Sequence, residues 1–337
     1  MEPLEYKLPS DESEQLIIKS QDKTSQDYGC DPTKREIDTL LQYGVINLDK
    51  PSGPTSHEVV SWVRKVLEIS NAGHGGTLDP KVTGILPCAL GKATRVLSAL
   101  LSAGKEYVGV MKLHTPQLIN KIEQVFKIFT GKIYQTPPLT SSVVRKLRTR
   151  EIYYLKLLEM DGNHILFRVG CEAGTYIRKL CFDIGEALCS GAHMLELRRT
   201  RVGNFCEDQT LVSLQNLKDA YTTYRMESDE FYIRKILLPM EKMVSHIPKI
   251  YVRDSAVDAL CHGAELASAG ICYIDARIKP NMQIAYMTLK KELIGFGIAK
   301  IDAMKMYKAK SGIMVKTDKI FMERGTYPRW DEIKIKN

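Results

Sequence analysis

No stretch of this chain approaches the roughly 20 uninterrupted apolar residues that a membrane-crossing helix needs. No basic, apolar-cored leader opens it either: MEPLEYKLPSDESEQ is acidic and polar. Neither a membrane protein nor a secreted one is expected. There is no CxxC pair and no finger-like spacing among the eight cysteines, which disfavours a metal site. In a chain of this length without an export signal, those thiols are expected to be small core hydrophobes in a reducing, cytoplasmic setting. The familiar nucleotide loops are missing too. A dinucleotide fingerprint beginning at Gly73-x-Gly75 would need glycine at 78, where Leu78 stands. The spacing before Gly91-Lys92 is wrong for a P-loop, and Ala93 follows the lysine.

What is present is the composition of an ordinary globular protein, 337 residues at 44% hydrophobic and 26% charged, with room for two domains. Charge is unevenly spread. Residues 1–40 hold five Lys and Arg against ten Asp and Glu, leaving 43 basic and 30 acidic residues in the remainder. The formal +8 therefore understates how basic the folded part is, and a polyanionic partner fits that excess.

The first 40 residues are expected to form an arm rather than a domain. A short strand through Val45, Ile46 and Leu48 enters a Pro/Gly loop, and Ser56 is placed to cap a helix carrying Val59, Val63, Val66 and Leu67. A glycine-rich loop covers 71–80, and a short helix is expected around 93–101. Residues 106–114 predict a strand buried on both faces, and 117–129 a helix. A strand pair, 151–160 and 164–171, turns at Asp161-Gly162-Asn163; Thr175 would then cap a helix with Ile177, Leu180, Cys181, Ile184 and Leu188 on one face. Past 239–248, short glycine-bearing strands predict a small β-barrel. Strands often neighbour strands, so the middle is mixed α+β.

The loop Ala72-Gly-His-Gly-Gly-Thr-Leu-Asp-Pro80 admits two readings. Its glycines could cradle a phosphate. Alternatively Asp79, held on a glycine-permitted and proline-locked loop, is a fixed carboxylate suited to nucleophilic work, unless it is an ordinary Asx-Pro turn. Arg178, in GTYIR where a strand passes into a helix, could hold such a carboxylate oriented; a surface arginine is the plain alternative. Tyr107 could stack on a base or simply pack in the core. Two basic clusters, RKLRTR (Arg145, Lys146, Arg148, Arg150) and LRRTR (Arg198, Arg199, Arg201), have little acid nearby in sequence and suit phosphate contacts, with a solvated charged face the plain alternative for either one alone.

Taken in order, GVINLDKPSGPTSHEVV, AGHGGTLDPKVTGILP, GKATR, SAGKEYV, EAGTYIRKL and GAHMLELRRTR resemble the TruB family of pseudouridine synthases, and most closely its archaeal, dyskerin-related branch. The resemblance runs from about residue 43 to 330. It implies a mainly antiparallel-sheet catalytic domain over 41–247 and a PUA β-barrel over 248–330; the acidic arm over 1–40 departs from that pattern and is expected to pack partly on the PUA domain. The implied activity is isomerisation of uridine in RNA to pseudouridine without cofactor or metal. Carried over by motif, Asp79, Tyr107 and Arg178 would be catalytic; Tyr176, Leu197 and His74 would line the uridine pocket; His262 and Gly263 would touch RNA. Implied partners are guide RNA, substrate tRNA and rRNA, and three small H/ACA proteins: a zinc-ribbon-like peptide, a β-barrel subunit and a kink-turn-binding protein. A catalytically silent RNA-binding scaffold of the same fold is the competing possibility, and the joint presence of Asp79, Tyr107 and Arg178 argues against it.

Overall fold

The computed structural model describes residues 6–137, 144 and 146–335, which form two compact units. Arg145 lies outside the described residues. Among these described residues, the first unit takes in 6–11, 46–89 and those within 97–236; the second takes in 12–45, 90–96 and 237–335.

The first unit is built on a mixed sheet. From strand Leu211–Val212 the path passes through Gly44–Lys50, Thr83–Leu90, Ala192–Val202, Lys105–Leu113, His164–Cys171 and Arg148–Asp161 to Gly131–Gln135. Pairing is antiparallel from Ala192–Val202 outward to Gly131–Gln135, and parallel where Thr83 and Gly84 meet Arg198 and Arg199. Helices Ile119–Ile128 and Ile177–Ala187 cover one face, burying Ile122, Phe126, Leu180 and Ile184 against Met111, Phe167 and Val169. Each such side chain contributes about 1.5–3 kcal/mol on full burial. The central strand Lys105–Leu113 is not buried on both faces as its apolar text suggests. Gly109, Met111 and Leu113 are buried, while the alternating Val108, Val110 and Lys112 are half-buried.

Three local elements differ from the expected ones. Thr55, not Ser56, caps helix Ser56–Val66, in a reciprocal box with Glu58. Tyr176 rather than Thr175 stands at the cap of Ile177–Ala187, and the Thr175 hydroxyl donates back to the Glu172 carbonyl at 2.7 Å. The expected helix at 93–101 is a 3-10 turn, Gly91–Val96, followed by the short helix Ser98–Ser102. Cys88, Cys171, Cys181, Cys261 and Cys272 are buried, and none of the eight cysteines forms a disulfide. Burial pushes the thiols of those five up to about 12, so they are inert packing groups.

In the second unit a seven-stranded sheet runs Leu16–Ile18, Ile271–Asp275, Lys249–Val252, Gln283–Thr288, Leu293–Ala299, Ile313–Ile320, Leu266–Ala267. Ile250, Val257, Ile284, Tyr286, Ile294 and Val315 fill its core. The first of these strands belongs to the polar arm. Leu16, Ile17 and Ile18 pair antiparallel with Asp275, Ile274 and Tyr273, and Ile17 and Tyr28 pack against the core. The Lys19 ammonium then caps helix Ala303–Lys308, donating at 2.6 Å to the carbonyls of Met306 and Ala309. Among the described residues no helix is long and apolar enough to cross a membrane.

Candidate active site

The site grows from the loop that carries Asp79. That loop is tied down along its whole length. Gly75 N–H donates to the Pro87 carbonyl at 2.9 Å. The Ser56 hydroxyl receives Leu78 N–H at 2.9 Å and contacts the Leu78 carbonyl at 3.2 Å, which is why Ser56 points inward instead of capping its helix. Gly53 N–H donates to the Pro80 carbonyl at 2.9 Å. Beneath lies Lys50, fully buried, whose ammonium donates to the carbonyls of Pro51, Pro80 and Val82 at 2.8, 2.8 and 2.9 Å. Burial lowers the Lys50 pKa, and the nearby Asp79 charge opposes that. Leu78 is the apolar peg of the loop, and Asp79 next to it faces outward with a side chain 54% exposed.

Arg178, in the first turn of helix Ile177–Ala187, reaches that carboxylate and ion-pairs with it through Nη2 and Oδ2. The helix start is fixed from behind. Gln135, buried on strand Gly131–Gln135, accepts from Tyr176 N–H at 3.0 Å and donates to the Tyr176 carbonyl at 3.2 Å. The acid and the guanidinium, 99 residues apart in the chain, thus meet because two separately braced segments present them to each other.

Tyr107 sits opposite Arg199 on one neighbouring strand and Val169 on the other, while Leu197 faces Gly109. The ring of Tyr107 and the side chain of Leu197 pack against the apolar core of the unit. Burial raises the Tyr107 phenol pKa; the charge of Arg199, its neighbour across the strand pair, pulls the other way, and the Asp79 charge acts on it as well. A methyl group at Gly109 would come within 2.8 Å of Leu197 and 3.0 Å of Phe167, so the missing side chain leaves Leu197 its place. His74 lies edge-on to His57 with ring centroids 5.0 Å apart. Burial, helped by the charges of His57 and Arg199, pushes its pKa down to about 4 and leaves a neutral imidazole at physiological pH.

The expected phosphate contacts fare unevenly. Lys146 is exposed; Arg148 and Arg150 begin strand Arg148–Asp161, with Arg150 beside Gly174 and 3.8 Å from Glu172. The LRRTR cluster is not a basic face. Its residues alternate across a strand, so Arg198 and Arg199 leave on opposite sides. Arg198 is held bidentately by Asp49 at 3.0 and 2.9 Å and bonds Glu207 as well. Arg199 is 1% exposed, and Arg201, 9% exposed, pairs with Asp11. Arg199 and Arg201 are therefore not phosphate ligands: a phosphate cannot reach them without unpacking the sheet. In the second unit, His262 closes helix Asp254–Cys261, its Nδ1 2.9 Å from the Asp258 carbonyl, and Gly263 follows at φ +88°. His262 lines a cleft of about 470 Å³ with Tyr28, Asp258, Arg324, Tyr327 and Arg329.

Three contributors had escaped the sequence reading: Lys50, Ser56 and Gln135. Lys50 ends the strand that enters the Pro/Gly loop and Ser56 follows that loop, and only their inward placement reveals their work. No group of three or more His, Cys, Asp or Glu side chains suited to a metal ion occurs among the described residues.

Comparison with known proteins gives a consistent result along the chain. Residues 64–118 and 114–177 match the TruB family pseudouridylate synthase N-terminal domain, and 178–245 the tRNA pseudouridylate synthase B C-terminal domain. Residues 5–60 match the DKCLD (NUC011) domain and 248–321 the PUA domain. The chain is 53% identical over 327 residues to a "Probable tRNA pseudouridine synthase B" of Pyrococcus furiosus, covering 96% of each. It is 52% identical over 323 residues to the same-named protein of Methanopyrus kandleri, covering 96% of this chain and 95% of that one. A chain in the crystal structure of a Cbf5-Nop10-Gar1 complex superposes with a TM-score of 0.92 at 53% identity, covering 96% of this chain and 99% of that one. A chain in the structure of an H/ACA RNP bound to a substrate RNA containing 2′-deoxyuridine gives 0.90 at 51%, with 96% and 99% covered.

Proposed function

The chain belongs to the TruB family of pseudouridylate synthases and is an RNA pseudouridine synthase, and from that premise we propose that it is the catalytic subunit of a cytoplasmic H/ACA guide ribonucleoprotein. Its substrates in this reading are guide-selected uridines of rRNA and, without a guide, uridine 55 of the tRNA T loop. Support comes from the solved neighbours at half identity over nearly the full length, whose titles name Nop10 and Gar1, or H/ACA RNA with a substrate. The partners proposed are guide RNA, substrate RNA and the three small H/ACA proteins.

The reaction breaks the bond from uracil N1 to ribose C1′, turns the base, joins C5 to C1′ and releases the C5 proton while N1 gains one. A uridine in structured RNA must first leave its stack, at a cost of a few kcal/mol. Stacking on an aromatic ring offsets roughly 1–3 kcal/mol of that. Tyr107 is the ring in this assignment, with Leu197 the opposing apolar wall and Tyr176 at the rim. His74, kept neutral, suits insertion into the space the base vacates, since an uncharged ring stacks there without a bound counter-ion. Asp79 is the carboxylate that acts on the detaching nucleoside, and Arg178 fixes its direction. Lys146, Arg148 and Arg150 would hold the backbone without reading its sequence. The PUA domain, through His262 and Gly263, would hold guide RNA.

One observation carries this assignment: the Arg178 guanidinium is bonded to the Asp79 carboxylate at a surface-open position whose charge reaches Tyr107. A silent scaffold has no need to assemble all three. The test is tritium release from RNA labelled at uracil C5. Asp79→Asn is expected to abolish release while RNA affinity stays within about threefold; substantial turnover by that variant refutes the catalytic role.

A further inference from the structure

Strand Gly131–Gln135 ends on a buried amide. Gln135 is 2% exposed, and both ends of its side chain go to one residue of another segment. Its Oε1 accepts from Tyr176 N–H at 3.0 Å, and its Nε2 donates to the Tyr176 carbonyl at 3.2 Å. Tyr176 is the joint at which extended backbone gives way to helix Ile177–Ala187, with φ −94° and ψ 100°. Its carbonyl also accepts the first helical bond, from Leu180 N–H at 3.0 Å, whereas its N–H lies outside the helical pattern. The amide thus exchanges with Tyr176 the two bonds that a residue on a neighbouring antiparallel strand would make. The same hairpin braces the turn just before the joint. Ile133 and Gln135 pair in register with Arg150 and Arg148, and a methyl group on Gly174 would come within 3.1 Å of Nη2 of Arg150.

We propose that Gln135 is a positioning residue for the isomerisation: its amide sets how helix Ile177–Ala187 begins, and so how Tyr176 and Arg178 are presented to Asp79. The inference rests on the reading of Asp79 and Arg178 given above. Helix ends fray, and rotation at the joint swings the whole first turn. Arg178 lies in that turn and bonds the Asp79 carboxylate, so the rotation carries the guanidinium with it. Two bonds are needed to prevent this. The N–H direction reports the backbone before φ and the carbonyl direction the backbone after ψ, and a partner gripping only one leaves the other free. A neutral amide carries the required acceptor and donor side by side.

The test compares Gln135→Met and Gln135→Glu with wild type, each as the full chain assembled with guide RNA and its small-protein partners. Single-turnover tritium release is read at saturating enzyme. Gln135→Met fills similar space without either bond. Its rate is expected to fall about 100-fold, as misplacement of about 1 Å produces, with RNA affinity within threefold. Gln135→Glu supplies the readout that lost stability would not move. Protonated, its carboxyl offers the same acceptor and donor; ionised, it turns a second acceptor on the Tyr176 carbonyl. Burial and that carbonyl favour the protonated form, against the charges of Arg148 and Arg150 on the paired strand. Measured beside wild type at each pH, on folded protein, its rate deficit should stay within about threefold near pH 5.5 and widen at least tenfold by about pH 8.5. A folded Gln135→Met within threefold of the wild-type rate, a loss of affinity exceeding the loss of rate, or a Gln135→Glu deficit that does not grow with pH overturns the proposal. Should Gln135→Met not fold, Gln135→Glu is judged alone; if neither folds, Gln135 is a stabilising residue only and the proposal fails. Absence of tritium release by wild type would instead sink the enzymatic reading of the site.

Discussion

Replacing Lys50 by Met removes the ammonium under the Asp79 loop and keeps most of its stem. Three carbonyl oxygens, those of Pro51, Pro80 and Val82, then lose the charged donor that the fully buried Lys50 brings to them. At about 1.5–3 kcal/mol for each hydrogen bond to a charged group, the gross loss is roughly 5–9 kcal/mol. Relief of the desolvation of a buried cation returns several kcal/mol, leaving a net destabilisation of about 2–4 kcal/mol. For a unit of this size that corresponds to a melting point lowered by roughly 5–12 °C. The chemistry should suffer beyond this, because the freed Pro80 and Val82 carbonyls flank the acid; turnover well below the new melting temperature is expected to fall about tenfold or more. Circular dichroism melting and single-turnover tritium release on the same preparation provide the two readings. A melting point within 2 °C of wild type together with unchanged turnover would show that the ammonium is not what holds the loop.

Three further expectations follow from the geometry. Gly84→Ala should cost several kcal/mol and depress soluble yield: the residue sits at φ +100°, and a methyl group would lie 2.3 Å from the Arg199 carbonyl oxygen, so thermal melting should show a large drop. With His74 at about 4 folded and 6.5 unfolded, its contribution is complete above pH 6.5 and is lost as pH falls towards 4. Discounted for its partial exposure this is about 1–2 kcal/mol, and melting between pH 7 and 4 should flatten accordingly in His74→Gln. Finally, Lys146→Ala should lower the slope of log affinity against log salt by about one. Arg198→Ala should leave it nearly unchanged, since Asp49 and Glu207 already neutralise that guanidinium; a fall in slope as large as that of Lys146 would contradict the ion-pair argument.

The site was legible where function is written in short, locally determined segments. Thr-Leu-Asp-Pro and Gly-Thr-Tyr-Ile-Arg each specify a constrained turn, and their meeting follows from the resemblance of the whole set of motifs. The LRRTR run misled for a physical reason. Density of charge along the sequence says nothing about direction, and a strand sends successive residues to opposite faces, so one arginine met acids and the next entered the core. Ser56 was misplaced by a similar ambiguity: Thr55 and Ser56 are both good capping residues, and the choice is made by Glu58 reaching back to Thr55 and by Leu78 engaging Ser56. Buried polar ties such as Gln135 to Tyr176 leave no periodic trace at all.

The three-residue strand donated by the arm has a consequence for the solution behaviour of the protein. Leu16–Ile18 occupies the rim of the seven-stranded sheet, satisfying the backbone of Ile271–Asp275 on that side. Removing the chain up to Lys19 would bare a row of unpaired amides flanked by apolar side chains, a template for pairing between molecules. Such a shortened protein is expected to self-associate and precipitate, so the acidic stretch that says least about chemistry doubles as a guard against aggregation.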